Sequence, residues 1–307
     1  MRTFGAAFFT LVALVLAGIA LPGAWIDRNL VEVDGFVELA GPLGSDPEFQ
    51  AQLTSALAAE ATVNAGLPEA LTGVVEPLIA EAAGNVAGLP GYPEAWNDSL
   101  RRSHELSFPV DANIVSGVDS PEPVRLDLSP VLALALEEVG SGLGVDVPAP
   151  EQTLVEVASP ERQSTVGQLG AIAGLWPMLG AGAGLSALIA LVLARRRSTT
   201  LALLGLGTVA LGVLYWAGVR AAPGVLERVR AERGASEGSI SALFQDGLVA
   251  RSAEVGEPLC LAVIGVGVVL LVVGVASRLI SGGSKGNRGL ALSGSEPATS
   301  GRRALNR

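Results

Sequence analysis

Leu185-Ser-Ala-Leu-Ile-Ala-Leu-Val-Leu-Ala-Arg195-Arg-Arg-Ser-Thr-Thr200-Leu-Ala-Leu-Leu-Gly205 decides the fold: two apolar runs joined by three consecutive arginines. Each run extends outward until it is long enough to cross a bilayer. A helix rising 1.5 Å per residue needs about 20 apolar residues to span a hydrocarbon core roughly 30 Å thick. A basic cluster in so short a turn stays on the cytoplasmic side. Arg195, Arg196 and Arg197 therefore predict a hairpin of two membrane spans with its turn inside the cell.

Working outward, four long apolar runs qualify as spans, 1–26, 169–194, 200–219 and 258–278, charged only at the ends by Arg2 and Arg278, the last carrying Val263-Ile-Gly-Val-Gly-Val-Val-Leu-Leu-Val-Val273. Between them lie a long segment 27–168, the basic turn 195–199, a loop 220–257 and a tail 279–307. The charges orient this arrangement. Arg2, the triple arginine, Arg278 and the tail together hold ten basic residues and one acid, Glu296. The segment from Asp27 to Arg162 holds 23 acids against 5 arginines, and the loop from Arg220 to Glu257 holds 6 against 5. The chain's formal charge of −10 is thus an average of a strongly acidic outer part and a basic inner one. The expected fold is a mainly α membrane protein with both termini cytoplasmic and an extracytoplasmic domain between the first two of four transmembrane helices. The first run also reads as a cleavable signal peptide, with Arg2 as its positive region and small residues at Ala17, Gly18 and Ala20. Its length, and Pro22 and Trp25 where a cleavage site would fall, favour an uncleaved anchor; cleavage would leave three spans.

Composition narrows the classes further. Half the chain is hydrophobic and 16% is charged, against about 25% charged in ordinary globular proteins. The single cysteine, Cys260, excludes an internal disulfide. Net acidity argues against nucleic acid as a partner, while low lysine and abundant alanine and glycine hint at a bacterial source. The lipid bilayer is the first partner expected.

The outer segment patterns mainly as helix. Ser45-Asp46-Pro47-Glu48 reads as a helix start ahead of Phe49, Leu53 and Leu57. Further helices are expected over Pro68 to Val86 and Pro93 to Leu106, the latter placing Trp96, Leu100 and His104 on one face. Val124 to Leu128 alternates as a strand, Ser129-Pro130 opens a helix stopped at Gly140, and Thr153 to Val157 is a second short strand. The expectation is a helical domain with a minor two-stranded element that pairs across that helix. The 220–257 loop carries Ile240, Leu243, Phe244 and Leu248 at helical spacing and either lies on the membrane surface or packs on the larger domain. The Gly-, Ser- and Arg-rich tail has the composition of a disordered segment.

Few residues carry chemistry. His104 is the only histidine, so no histidine-based metal site and no HExxH motif exists. Neither GxSxG nor a P-loop is present, so no catalytic, cofactor-binding or metal residues are assigned. Trp96, Arg102 and His104 form the candidate interaction site, weighed against plain helix packing for the histidine. Gly170, Gly174, Gly180 and Gly184 are small residues four apart, suited to helix packing in the bundle or to a homo-oligomer seam. The interiors of the spans hold no Asp, Glu, Lys, Arg or His, which argues against a pore or carrier formed by this chain alone.

The anchor helix, Asp46-Pro47 with Gln50, Ala95-Trp96 with Arg102 and His104, Leu126-Asp127-Leu128-Ser129-Pro130, and three spans with a basic turn resemble uncharacterised integral membrane proteins of actinobacteria over residues 1 to about 280. The resemblance implies an envelope location and carries over no activity. The function expected is non-enzymatic: a membrane-anchored protein whose acidic outer domain binds a protein partner or envelope ligand, or else an accessory subunit of a membrane transport or export complex. A topology reporter fused after Arg197 and one fused after Arg233 should read opposite sides of the membrane. The same side for both would contradict four spans.

Overall fold

The computed structural model describes residues 2–64, 81, 84–107, 124–143, 152–158, 173–233 and 239–283. In chain order these form α1 (Arg2–Ile26), α2 (Val33–Ala40), α3 (Pro47–Asn64), α4 (Tyr92–Ser107), β1 (Val124–Asp127), α5 (Ser129–Leu143), β2 (Leu154–Ala158), α6 (Trp176–Leu193), α7 (Arg197–Arg233) and α8 (Ile240–Gly283). A π-turn at Asp27–Val31 and a 3-10 turn at Gly41–Ser45 bracket α2. Helix therefore dominates, and four helices (α1, α6, α7 and α8) are long and apolar enough to cross a membrane.

These four pack as an up-down-up-down bundle. Gly5 near the start of α1 lies against Leu193 at the end of α6, and Gly23 near the end of α1 lies against Trp176 at the start of α6. Gly18 meets Leu211 and Tyr215 of α7, and Gly274 near the end of α8 meets Ser198 and Ala202 at the start of α7. The first residues of α1, the Arg195–Arg197 turn and the end of α8 thus share one end of the bundle. Asp27, Trp176, Arg220 and Glu257 mark the other.

The close approach of α7 to α8 depends on glycine. A Cβ at Gly205 would stand 2.4 Å from the Leu271 backbone nitrogen, and one at Gly267 would stand 2.6 Å from that of Val209. No real side-chain carbon fits there, so backbone meets backbone, the geometry that lets dispersion alone hold apolar helices together. The expected packing glycines stand elsewhere. A Cβ at Gly180 or Gly184 would meet nothing within 4 Å, and on α6 it is Gly182 that approaches α1, at Leu16. Gly174 lies in the turn before α6, and Gly170 lies outside the described residues. Helix α6 starts at Trp176 with Pro177 in its first turn, a residue preorganised for a helix start; the expected start at Leu169 lies outside the described residues.

Helices α7 and α8 outrun a bilayer. Their 37 and 44 residues correspond to about 55 and 66 Å. The segment expected as a separate loop, 220–257, is mostly a continuation of α7 to Arg233 and the opening of α8 from Ile240. Arg230 ties the two extensions together, with Nη1 2.7 Å from Asp246 Oδ2 and Nη2 donating to the Ala242 carbonyl at 3.0 Å.

The remaining elements form a head on the Asp27 end. Asp46 caps α3 by accepting the backbone N–H groups of Glu48 at 2.8 Å and Phe49 at 3.1 Å, as its sequence position predicts. Strands β1 and β2 pair antiparallel with Leu126 opposite Val155, on either side of α5 in sequence. α5 itself runs through Gly140 to Leu143, beyond the expected stop. The helix expected over Pro68 to Val86 lies mostly outside the described residues, as does the tail beyond Gly283.

The head's core gathers Ala40, Leu43, Phe49, Leu53, Tyr92, Trp96, Leu100, Leu126 and Leu128, and it is completed by Ile240 and Phe244 of α8. Trp96 sits at its centre, 1% exposed. Its ring meets Phe49 edge-on at 5.9 Å and Phe244 at 6.5 Å, separations typical of favourable aromatic pairs. Gly44 makes room for it, since a Cβ there would stand 2.3 Å from the indole. Of the two placements open to the Ile240–Leu248 segment, packing on the larger domain is the one adopted.

Candidate functional site

Helix α4 carries the expected site residues, and its amphipathic pattern explains their positions. Tyr92, Trp96, Leu100 and His104 recur every four residues on the buried face, with Ser99, Ser103 and Ser107 beside them. Arg101, Arg102 and Glu105 face solvent. The three candidates do not converge on one point. Trp96 Nε1 donates to the Ala40 carbonyl at 3.3 Å. His104 Nε2 lies 3.1 Å from the Leu30 carbonyl, with its ring 5.4 Å from Phe36. Arg102 Nη1 is 3.4 Å from Ser129 Oγ. Each tethers α4 to a different segment: the end of α2, the turn leaving α1, and the start of α5.

His104 is 4% exposed. Burial pushes its imidazole below the ordinary histidine value, partly offset by the backbone carbonyls of Leu30 and Val31. The ring packs on Phe36 and is fastened to the exit of α1, contacts that fit plain helix packing.

A buried polar network beside it carries signals that the sequence reading passed over. Ser103 Oγ donates to the Ser99 carbonyl at 2.5 Å and accepts the Asp127 N–H at 2.8 Å. Asp127 Oδ1 accepts Ser129 Oγ at 2.6 Å, the Ser129 N–H at 3.0 Å and the Thr153 N–H at 3.3 Å. One carboxylate thereby caps α5 and holds the β2 side of the sheet, which is why so polar a group is buried. The sequence signals were the Ser-x-x-x-Ser-x-x-x-Ser spacing of α4 and the Asp-Leu-Ser-Pro junction. Ser103, Asp127 and His104 are close in the fold. Yet the hydroxyl is committed to backbone groups on both sides and the imidazole reaches the Leu30 carbonyl, so they do not form a nucleophile–base relay. Among the described residues, no group of three or more His, Cys, Asp or Glu side chains could hold a metal ion.

The concave feature of the head is a cavity of about 200 Å³ bounded by α3, α4, α5 and residues 86–87. Leu53, Val86, Trp96, Leu128, Val131 and Ala135 form its apolar walls, and Tyr92, Thr54 and Thr153 supply its hydroxyl-bearing residues. Burial raises the Tyr92 phenol above its ordinary value, so it stays a neutral hydrogen-bonding group.

At the junction of bundle and head, two tryptophans act as polar locks. Trp176 Nε1 donates to Asp27 Oδ2 at 3.0 Å, joining α6 to the end of α1. Trp216 Nε1 donates to Glu257 Oε1 at 3.1 Å, and Arg220 pairs with the same carboxylate while stacking over the Trp216 ring at 5.3 Å. The Arg220 hydrogen bond, then that of Trp216, lowers the Glu257 pKa. Indoles with one wet polar edge suit a membrane–water interface.

Comparison with protein-family models, with curated proteins and with solved structures finds no match to this chain.

The His104 geometry has a pH consequence. Its folded pKa lies below its unfolded one, so its stabilisation is complete above the ordinary histidine pKa of about 6.5 and is lost as pH falls through the folded value. The head of the wild-type protein should therefore lose more thermal stability between pH 7.5 and 5 than that of His104→Gln, measured by near-UV circular dichroism in nanodiscs. Parallel pH profiles would contradict the assignment.

Proposed function

We propose that this chain is a multi-pass protein of the cytoplasmic membrane, both termini cytoplasmic, whose acidic extracytoplasmic head binds a protein partner or an envelope ligand without catalysing a reaction. The observation that carries the reading is the segregation of charge along the bundle axis. Arg195, Arg196 and Arg197 are exposed at one end, whereas the segment that builds most of the head, Asp27 to Arg162, has 23 acids against 5 arginines. Arginine in short flanking segments is retained in the cytoplasm, so the acidic head faces out. Among the described residues, the buried Ser103, His104 and Asp127 are engaged in capping and tethering, and the head's surface and its cavity are the parts able to recognise something. The envelope location implied by the resemblance to actinobacterial membrane proteins agrees with this.

A second reading makes the chain an accessory subunit of a transport or export complex. What favours it is the open face of α6 around Gly180 and Gly184, which leaves room for another helix to approach. Purification of the chemically cross-linked full-length protein in mild detergent separates the two. A partner joined through the head supports the leading reading, and one joined through α6 supports the subunit. A lone monomer with no cross-linked partner and no bound envelope component would contradict both.

A further inference from the structure

We infer that the head cavity is a binding site for a small, uncharged, apolar ligand the size of one aromatic ring or a short alkyl segment. The inference rests on the ligand-binding reading of the head and names the ligand's chemical class. Size is the first argument. The cavity is about 200 Å³, somewhat larger than a cavity of about 150 Å³ lined by apolar side chains that stays dry and takes up benzene.

Chemistry is the second argument. No charged side chain is among the described residues lining the cavity, so a carboxylate, ammonium or phosphate entering it would lose its hydration without compensation. Water fares little better, because it needs two to four polar partners. Thr54 Oγ1 already donates to the Ala51 carbonyl at 3.0 Å. Tyr92 and Thr153 are the other hydroxyl-bearing residues of its lining, and either is able to orient one polar atom of the guest.

Position is the third argument. Trp96 is both a wall of the cavity and the aromatic neighbour of Phe244 on α8. One rigid side chain therefore stands between a guest and a helix that continues through the bundle to Gly283. Trp96 itself is 1% exposed, so a guest would reach it only at the cavity floor and would pack mainly on Val86, Ala87, Val131 and Ala135.

Full-length protein in lipid nanodiscs, titrated with fluorobenzene and followed by fluorine NMR against empty nanodiscs, tests the inference. Saturable binding by the wild type is expected, with affinity reduced tenfold or more in Ala135→Leu and in Ala87→Leu, each of which fills part of the cavity from a different wall. Near-UV circular dichroism identifies a variant that has lost its fold, in which case the other variant decides. Absence of saturable binding by the wild type overturns the inference, as does undiminished affinity in a folded cavity-filled variant. If fluorobenzene fails to bind while the head still captures a partner by cross-linking, the cavity site falls and the binding reading of the head stands.

Discussion

The packing of Trp96 between Phe49 and Phe244 is the interaction on which the rest of the head depends. Among its described residues the head is a set of short helices with a two-stranded sheet. Ile240 and Phe244, spaced one helical turn apart at the start of α8, supply part of its core from outside its own stretch of sequence. A helix that continues into the bundle is thus also a core element of the head. Gly44 is the local condition for this, since any side chain there would displace the indole.

The bundle supplies the complementary constraint. Apolar helices in lipid gain nothing from hiding from water, so their association rests on close backbone contact and on a few polar locks. Gly205 and Gly267 provide the contact between α7 and α8. Trp216, Arg220 and Glu257 lock the same pair where they leave the apolar zone, and Trp176 with Asp27 does so for α1 and α6. Above that level α7 and α8 continue as an unbroken pair clasped by Arg230. The head therefore packs on the extension of a helix that also belongs to the bundle.

Much of this was legible in the sequence because the signals were local. Four long apolar runs become four helices, the Trp96-Leu100-His104 stripe becomes the buried face of α4, and β1 pairs with β2 across α5. What was not legible depends on tertiary placement. The segment 220–257 mixes arginine and glutamate with scattered apolar residues, which is what a loop looks like; its helicity comes from continuing two spans and from burying Ile240 and Phe244. The four-residue glycine spacing of α6 is conspicuous, but whether a glycine is needed is set by the opposing helix, and that need falls on Gly205, Gly267 and Gly274. Trp96, Arg102 and His104 share a helix and act separately, because Arg102 lies on a different face from the other two. The cavity could not be read at all, since its walls come from three helices far apart in the chain.

The central claim, that α8 completes the head, is tested most directly by hydrogen exchange on the full-length Phe244→Ala protein in nanodiscs. Removing a buried aromatic side chain typically costs about 3–5 kcal/mol. The account predicts that amides of α4 and β1 lose protection while those in the membrane part of α7 and α8 keep it. Unchanged protection of α4 and β1 in that variant would show that the head holds its core without α8, and would contradict it.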